Sequence, residues 1–224
     1  MKEKPKQSLE NQLQMARPKR AEVKRVPLTP EEKEFLGEIM DKAVAAEKAG
    51  KLQEALDLYT DYKNELLKIK EEKEKFDKIK EEPGIKSLIA MGLDRKFIEE
   101  NFDLTKLPEI KSKGDLLFSG MKIKEFPNIT VNGNLDLGSS TINKWDSGGL
   151  MINGDFILSA VDTKSLPDGI FVVGNVYLQN STIQDLPDEF HVDRDIYVKN
   201  CNAKVKQKAQ VLKVTGRIKG SVHN

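Results

Sequence analysis

Apolar and polar residues alternate in short stretches through the second half of the chain, and the alternation returns about every 20 residues. The stretches GDLLF, GNLDL, GDFIL, GNVYL and RDIYV begin at Gly114, Gly133, Gly154, Gly174 and Arg194. A Leu-Pro or Phe-Pro pair keeps the same period in most copies, although Trp-Asp replaces it in one. Alternation with period two predicts strands. A repeat of this length predicts a solenoid, because one coil is too small to bury its own apolar side.

The solenoid is predicted over residues 105–200, as about five coils of parallel β-structure. Stacking would align the inward residues of successive coils, which are Val131, Leu135, Leu137, Ile152, Phe156, Leu158, Val172, Val176, Leu178, Val192, Ile196 and Val198. Residues 201–224 keep only the motif VTGRIKG, which aligns Gly216 with the repeat glycine. We therefore expect a basic C-terminal cap that protects the open sheet edge.

The first half of the chain has helical spacing instead. Thr29, Pro30 and Glu32 form a capping-box pattern, and Gly50 ends the first helix. A second helix, from about residue 51 to 82, has a coiled-coil-like stripe of Leu52, Ala55, Tyr59, Tyr62, Leu66 and Ile69. The pattern predicts an antiparallel helical hairpin over 29–82, then two short helices at 83–104 that cap the solenoid.

Residues 1–28 are basic and aperiodic, which predicts a flexible arm. Leu9, Leu13 and Met15 would form a short helix only on contact with a partner. The fold class is thus α+β: an N-terminal antiparallel helical hairpin followed by a C-terminal parallel β-solenoid.

Two repeat copies, SLPDGIFVVGNVYLQNSTI and EFPNITVNGNLDLGSSTI, resemble the short leucine-rich-repeat-like units in many proteins of large bacteriophages and some bacteria. The resemblance covers about residues 105–200. It implies a solenoid that interacts with other molecules and is compatible with a phage origin, but it implies no activity.

The charge is unevenly distributed, although the formal net charge of the 224 residues is only +1. Residues 1–25 carry eight Lys/Arg and three Glu, and residues 196–224 carry six Lys and one Arg with no acid. Such ends are either simply solvated or reach an acidic partner. The single cysteine, Cys201, excludes an internal disulfide, and no stretch is apolar enough for a signal peptide or a membrane span. We expect a cytoplasmic protein, located in the host cytoplasm or the virion if it is phage-encoded, with no membrane partner.

The outward positions of the coils suggest a binding surface, because tyrosines and aliphatic side chains stand among polar ones. Either this face binds another protein or the protein's own helices cover it. The predicted protein-binding residues are Asp155, Ile157, Val173, Asn175, Tyr177 and Tyr197. The Asp/Asn column offers one side chain per coil, which favours stacked hydrogen bonding over calcium binding.

The sequence contains no nucleophile–base pair, phosphate loop, metal cluster or dinucleotide motif, so we expect no catalysis, cofactor or small-molecule substrate. The leading hypothesis is a protein-binding or assembly protein whose partner is another protein or a multi-protein assembly. The alternative is nucleic-acid binding through the basic ends. Its candidate residues are Arg17, Lys19, Arg20, Lys24, Arg25, Lys204, Lys206 and Lys208.

Overall fold

The structure, a computed structural model, describes residues 5–18 and 26–224, with side chains from residue 9 onward. The chain divides into two compact units, Met1–Lys78 and Ile79–Asn224. The first unit is helical, and the second contains parallel strands stacked into a β-solenoid of about four turns. The predicted α+β class is therefore confirmed.

The helical unit contains α1 (Pro5–Ala16), α2 (Pro30–Lys48) and most of α3 (Leu52–Ile79). The capping box predicted at the start of α2 is present. The Glu32 backbone N–H donates to Thr29 Oγ1 over 3.2 Å, and the Thr29 N–H donates to the Glu32 carboxylate over 2.7 Å. Gly50 has a φ of +75°, which allows the chain to reverse between α2 and α3.

The apolar stripe of α3 forms the core of the helical unit. Its buried residues are Ala55, Tyr59, Tyr62, Leu66, Ile69 and Phe76. Leu36 of α2 clusters with Tyr62, and Ala43 of α2 clusters with Tyr59. Lys73 occupies a stripe position near the end of α3, and its Nζ lies 2.6 Å from the Glu32 carboxylate. A lysine is tolerated there because it meets an opposite charge.

The flexible arm predicted for residues 1–28 is wrong for residues 5–16, which form α1. Leu13 is only 4% exposed and belongs to the cluster of Ala43, Ala55 and Tyr59. The aperiodic sequence hides this because one leucine makes the buried contact. Residues 1–4 and 19–25 lie outside the described residues.

The second unit begins with α4 (Pro83–Ala90), α5 (Arg95–Asn101) and a short 3₁₀ turn, Leu104–Lys106. Twelve strands and one helix, α6 (Ala203–Val214), follow. The strands are β1 (Leu116–Leu117), β2 (Lys122–Ile123), β3 (Ile129–Val131), β4 (Leu135–Asp136), β5 (Thr141–Ile142), β6 (Leu150–Ile152), β7 (Phe156–Ile157), β8 (Ile170–Val172), β9 (Val176–Tyr177), β10 (Phe190–Val192), β11 (Ile196–Tyr197) and β12 (Val222–His223).

The strands form three parallel sheets that run along the solenoid. Sheet I has the order β1-β4-β7-β9-β11-β12, sheet II has the order β10-β8-β6-β3, and β2 pairs with β5 in sheet III. Leu135, Phe156, Val176 and Ile196 are partners in consecutive strands of sheet I, as the repeat predicted. All of the predicted inward residues are buried.

The N-terminal end of the solenoid is covered by its neighbouring helix. The ring of Phe97, in α5, lies 5.8 Å from the ring of Phe118, which directly follows β1 and is buried. The backbone after α5 also joins the solenoid, because the Asp103 N–H donates to the Lys111 carbonyl and the Lys113 N–H to the Asn101 carbonyl, each over 2.8 Å.

The C-terminal end shows that the alignment of Gly216 with the repeat glycine was wrong. Val222 pairs with Ile196 and Ile218 bridges to Val192, so Gly220 is the repeat glycine. The repeat glycine is displaced along the chain because α6 is inserted between β11 and β12. Val205, Ala209 and Leu212 of α6 are buried, so the terminal segment combines a helix with a sixth strand of sheet I.

Candidate protein-binding face of the solenoid

The Asp/Asn column forms a continuous ladder of hydrogen bonds. In each coil the side-chain oxygen accepts from the backbone N–H of the equivalent residue one coil later. Asp115 accepts from Asn134, Asn134 from Asp155, and Asp155 from Asn175, each over 2.7 Å. Asn175 and Asp195 extend the ladder to the N–H of Ser221. These contacts confirm the predicted stacked hydrogen bonding.

The glycine before the Asp or Asn of the inner coils fits closely against this ladder. A Cβ added at Gly154 would lie 2.4 Å from Asn134 Oδ1, and one added at Gly174 would lie 2.4 Å from both Asp155 Oδ1 and the Gly154 carbonyl. At these two positions glycine leaves that space to the ladder side chain and the neighbouring backbone. The close stacking of the coils therefore explains the Gly-Asp/Asn motif.

Arg194 stands where the other coils have this glycine. The ladder bond beside it, from the Asp195 N–H to Asn175 Oδ1, is 3.2 Å long, compared with 2.7 Å in the preceding rungs. The Arg194 side chain is exposed. Arg194 thus adds an exposed cationic side chain at a position that is glycine in the other coils.

The outward residues of sheet I form one column of stacked side chains, and in strand order they are Leu117, Asp136, Ile157, Tyr177, Tyr197 and His223. The rings of Tyr177 and Tyr197 lie 4.9 Å apart and almost parallel, at 6°. The His223 ring stacks on Tyr197 at 4.5 Å. Burial against these neighbours, with the Asp155 charge as a smaller cause, raises the pKa of the Tyr177 hydroxyl.

Sheet II adds a second outward column that the motif alignment missed, formed by Thr130, Met151, Phe171 and His191. The Phe171 and His191 rings stack at 6.1 Å. Met151 is 47% exposed, and Val173, which lies between β8 and β9 in the chain, is 36% exposed. In the sequence, each of these residues stands between the two inward residues of its sheet II strand, so the alternation already indicated this column. The two outward columns and Val173 are called the outer face below.

Four of the predicted binding residues, namely Ile157, Val173, Tyr177 and Tyr197, share this outer face. Asp155 and Asn175 lie beside them, but their side-chain oxygens accept the ladder hydrogen bonds. We therefore assign these two residues to coil stacking as well as to the rim of the face.

Cys201 lies in the turn after sheet I and is buried. Its thiol donates to the Leu178 carbonyl over 3.0 Å, and burial raises its pKa. It occupies the position of Ser140, whose hydroxyl donates to the Phe118 carbonyl over 2.7 Å. This thiol is held in the protonated form and serves the turn, because activation of a cysteine requires a lowered pKa.

Three of the four described candidates for nucleic-acid contact face acidic groups of the same chain. Lys204 Nζ lies 2.6 Å from the Asp185 carboxylate and lowers its pKa. Lys208 pairs with Asp188, and Arg17 pairs with Glu47. Lys206 is half-buried on α6. The other candidates for nucleic-acid contact, Lys19, Arg20, Lys24 and Arg25, lie outside the described residues.

Comparison with protein-family models, curated proteins and solved structures gives no match. Within residues 5–18 and 26–224, no helix combines the length and apolarity needed to cross a membrane. In the same part of the chain, His, Cys, Asp and Glu side chains do not assemble in groups of three that could hold a metal ion. The outer face therefore has to be interpreted from its own geometry.

Proposed function

We propose that this chain is a non-catalytic protein-binding or assembly protein that recognises its partner through the outer face of the solenoid. The observation that supports this function is the register of Met151, Ile157, Phe171, Val173 and Tyr177. Adjacent coils place Met151 beside Phe171 in sheet II and Ile157 beside Tyr177 in sheet I, and Val173 is exposed between β8 and β9 in the chain. Tyrosine and methionine are enriched at protein interfaces, where they bury area and keep a polar end or a flexible stem.

The rigidity of the face also supports recognition. Each coil is held by backbone hydrogen bonds to both neighbouring coils and by the Asp/Asn ladder, so the outward side chains are presented on a fixed scaffold. A partner then loses little free energy in ordering the surface that it binds. In keeping with the resemblance to phage repeat proteins, we propose that this protein acts in the cytoplasm, which is the host cytoplasm or the virion if it is phage-encoded.

The test is retention of partners from an extract of the native host by the tagged full-length chain, with mass spectrometry as the readout. The variant Met151→Lys/Val173→Lys puts charge on the outer face at exposed positions. The matched control Val211→Lys/Val214→Lys makes the same change on α6, where the two valines are 48% and 87% exposed. We expect the face variant to lose a partner that the wild type and the control both retain. Equal retention by all three proteins would reject the outer face as the binding surface.

The nucleic-acid alternative is tested with the same protein by gel shift at low salt. Because Lys204 and Lys208 already meet Asp185 and Asp188, we expect the described C-terminal segment to add little phosphate affinity. A shift that is lost on Lys204→Gln/Lys208→Gln would favour the alternative.

A further inference from the structure

The N-terminal helix α1 is attached to α2 and α3 by few side chains. It has 12 residues, and isolated helices of that length are marginal in water, so its helical form depends on the contact with its neighbours. Among residues 9–16, whose side chains the structure describes, Leu13 is the buried one, at 4% exposure. Met15 is 81% exposed. Most of α1 therefore adds little to the core of the helical unit.

The Leu13 side chain fills a hollow that α2 and α3 build, and this hollow, called the α1 seat below, is lined by Ala43, Ala46, Ala55 and Tyr59. The Tyr59 hydroxyl donates to the Glu47 carboxylate over 2.9 Å, a bond that involves no group of α1. Arg17, directly after α1, pairs with the same carboxylate. The seat thus accepts a helix that presents a leucine and, four residues later on the same face, a cation.

A third contact of the seat uses the backbone alone. Lys63 of α3 donates from Nζ to the Met15 carbonyl over 2.8 Å, in the last turn of α1. A cation at the C-terminal end of a helix is favourable for any sequence, because the last carbonyls have no partner within the helix. Lys63 therefore helps to hold a helix in the seat whatever its side chains are.

The α2–α3 pair keeps a core of its own without α1. A second cluster consists of Val26, Leu36, Tyr62, Leu66 and Ile69 and contains no residue of α1. Lys73 donates to the Pro27 carbonyl and also pairs with Glu32, so the chain before α2 is held at this second place. Departure of α1 from its seat leaves all of these contacts intact.

The groove continues beyond the part that α1 covers. An open cavity of about 450 Å³ lies beside Arg17, where α1 has ended. Met40 and Val44 of α2 form its apolar lining, and both are only half-buried. A longer helix, or one with a larger side chain at this end, would bury apolar surface that α1 leaves open. The fit of α1 to its own groove is therefore incomplete.

We infer that the α1 seat is a helix-binding site, which α1 occupies within the chain and from which a helix of another protein displaces it. The partner is an amphipathic helix with a leucine in the place of Leu13 and a lysine or arginine in the place of Arg17. Docking of an amphipathic helix into a groove between two helices is a common mode of recognition. The inference goes beyond the proposed function, because the seat lies in the helical unit and the outer face in the solenoid.

The attachment of α1 to the chain sets the affinity that a partner needs. A tethered segment competes at an effective concentration that is roughly millimolar. Because one leucine and one exposed ion pair make most of the contact, we expect the α1 sequence as a separate peptide to bind an open seat with a dissociation constant of about 0.1 mM. Competition by the tethered α1 then weakens this binding about tenfold in the wild type.

The test titrates a fluorescently labelled peptide of residues 5–18 with the full-length chain and measures anisotropy. Leu13→Asp in the chain opens the seat, and Met15→Asp makes the same change on α1 at an exposed position. We expect Leu13→Asp to bind the peptide about tenfold more tightly than the wild type and Met15→Asp do. A peptide that itself carries Leu13→Asp should not bind. Glu47→Gln, added to the open chain, should weaken binding about two- to fivefold, as loss of an exposed ion pair does.

Amide hydrogen exchange of the wild type distinguishes a displaceable helix from an integral one. If α1 opens while α2 and α3 stay folded, its amides should exchange about 100-fold faster than the protected amides of those helices. Equal protection of α1, α2 and α3 overturns the inference, as does loss of the far-UV helical signal of α2 and α3 in Leu13→Asp, because α1 is then part of the core.

The peptide titration decides the remaining cases. Binding that is equal in the wild type and Leu13→Asp would mean that the peptide does not use the seat, and no binding to Leu13→Asp at a protein concentration of about 1 mM would mean that the seat accepts no separate helix. Either result overturns the inference, and an unchanged affinity in Glu47→Gln removes the cation from the description of the partner. None of these results bears on Met151→Lys/Val173→Lys, so the proposed function of the outer face stands or fails separately.

Discussion

The helical unit and the solenoid are stabilised over different distances along the chain. In α2 and α3 the backbone hydrogen bonds close within one turn, and the capping box of Thr29 and Glu32 spans three residues. In the solenoid, a ladder side chain finds its partner 19 to 21 residues away, as Asp115 and Asp155 do. The repeat glycines Gly133, Gly154 and Gly174 are therefore bounded by the backbone of the neighbouring coil, whereas Gly37 in α2 faces open space. A similar substitution should have opposite effects in the two regions.

The largest expected effect comes from adding one methyl group at a repeat glycine. Gly174→Ala places a Cβ at 2.4 Å from the Gly154 carbonyl oxygen, which is backbone and cannot rotate away. We expect the free energy of unfolding of the solenoid to fall by about 3 kcal/mol, as in other overpacked sites. Urea unfolding followed by the fluorescence of Trp145, the only tryptophan, measures this because that residue belongs to the solenoid.

The matched control is Gly37→Ala in α2. No atom lies within 4 Å of the added Cβ, and alanine has the higher helix propensity. We expect the helical unit to gain about 0.5–1 kcal/mol, measured by far-UV circular dichroism. If Gly174→Ala proves as harmless as Gly37→Ala, the close approach of the coils and the explanation of the glycine motif are both wrong.

The second prediction removes one rung of the polar ladder. Asp155→Ala leaves the N–H of Asn175 without its 2.7 Å acceptor, and an unsatisfied backbone group costs about 1–3 kcal/mol. Asp155→Asn keeps the acceptor oxygen and should cost much less, because Asn134 and Asn175 fill the same position in neighbouring coils. Unfolding midpoints from Trp145 fluorescence should rank wild type and Asp155→Asn together above Asp155→Ala.

The third prediction is a gain of stability at a strained turn. Ser139, Ala160, Asn180 and Asn200 occupy equivalent turn positions with φ between 57° and 61°. Alanine adopts this left-handed conformation at a cost of about 1–2 kcal/mol, whereas asparagine adopts it readily. Asn200 Nδ2 also donates to Asn180 Oδ1 over 2.8 Å. We expect Ala160→Asn to raise the thermal midpoint of the solenoid, and a fall in the midpoint would contradict the assignment of strain.

The sequence predicted those parts of the fold whose cause is repeated or local. The repeat placed Leu135, Phe156, Val176 and Ile196 in one ladder, and the capping box at Thr29 located the start of α2. The Asp/Asn column was predicted to form hydrogen bonds because five equivalent positions offered only one oxygen-bearing side chain each. In these cases several residues carry the same signal, so one departure such as Arg194 does not hide it.

The parts that the sequence did not predict were hidden for different reasons. Leu13 is the buried residue of α1 in its cluster, with Ala16 packed against it, and no periodicity indicates that. Gly220 was not recognised as the repeat glycine because α6 lengthens the last interval, which changes the spacing but not the register. The Met151 and Phe171 column was missed because its strand comes before the aligned motif. The pairing of Lys204 with Asp185 was hidden as well, because net charge does not show which acids meet which bases.

The smallest predicted effect concerns the last rung, where the ladder ends at an ionised group. The Ser221 N–H, 2.7 Å from Asp195 Oδ1, and the His223 ring, 3.1 Å from Oδ2, lower the pKa of Asp195 in the folded protein. A depressed carboxylate pKa stabilises the fold above the unfolded value of about 3.9 and loses this contribution as the pH falls through the folded value. Asp195→Asn keeps the acceptor for Ser221 and removes the titration. We expect the wild type to lose more stability than Asp195→Asn between pH 6 and about pH 2.5, measured as urea midpoints from Trp145 fluorescence. The paired acids Asp185 and Asp188 titrate in both proteins, so the difference between the two pH profiles isolates Asp195. Parallel profiles would mean that β12 is held by its backbone pairing with β11 alone.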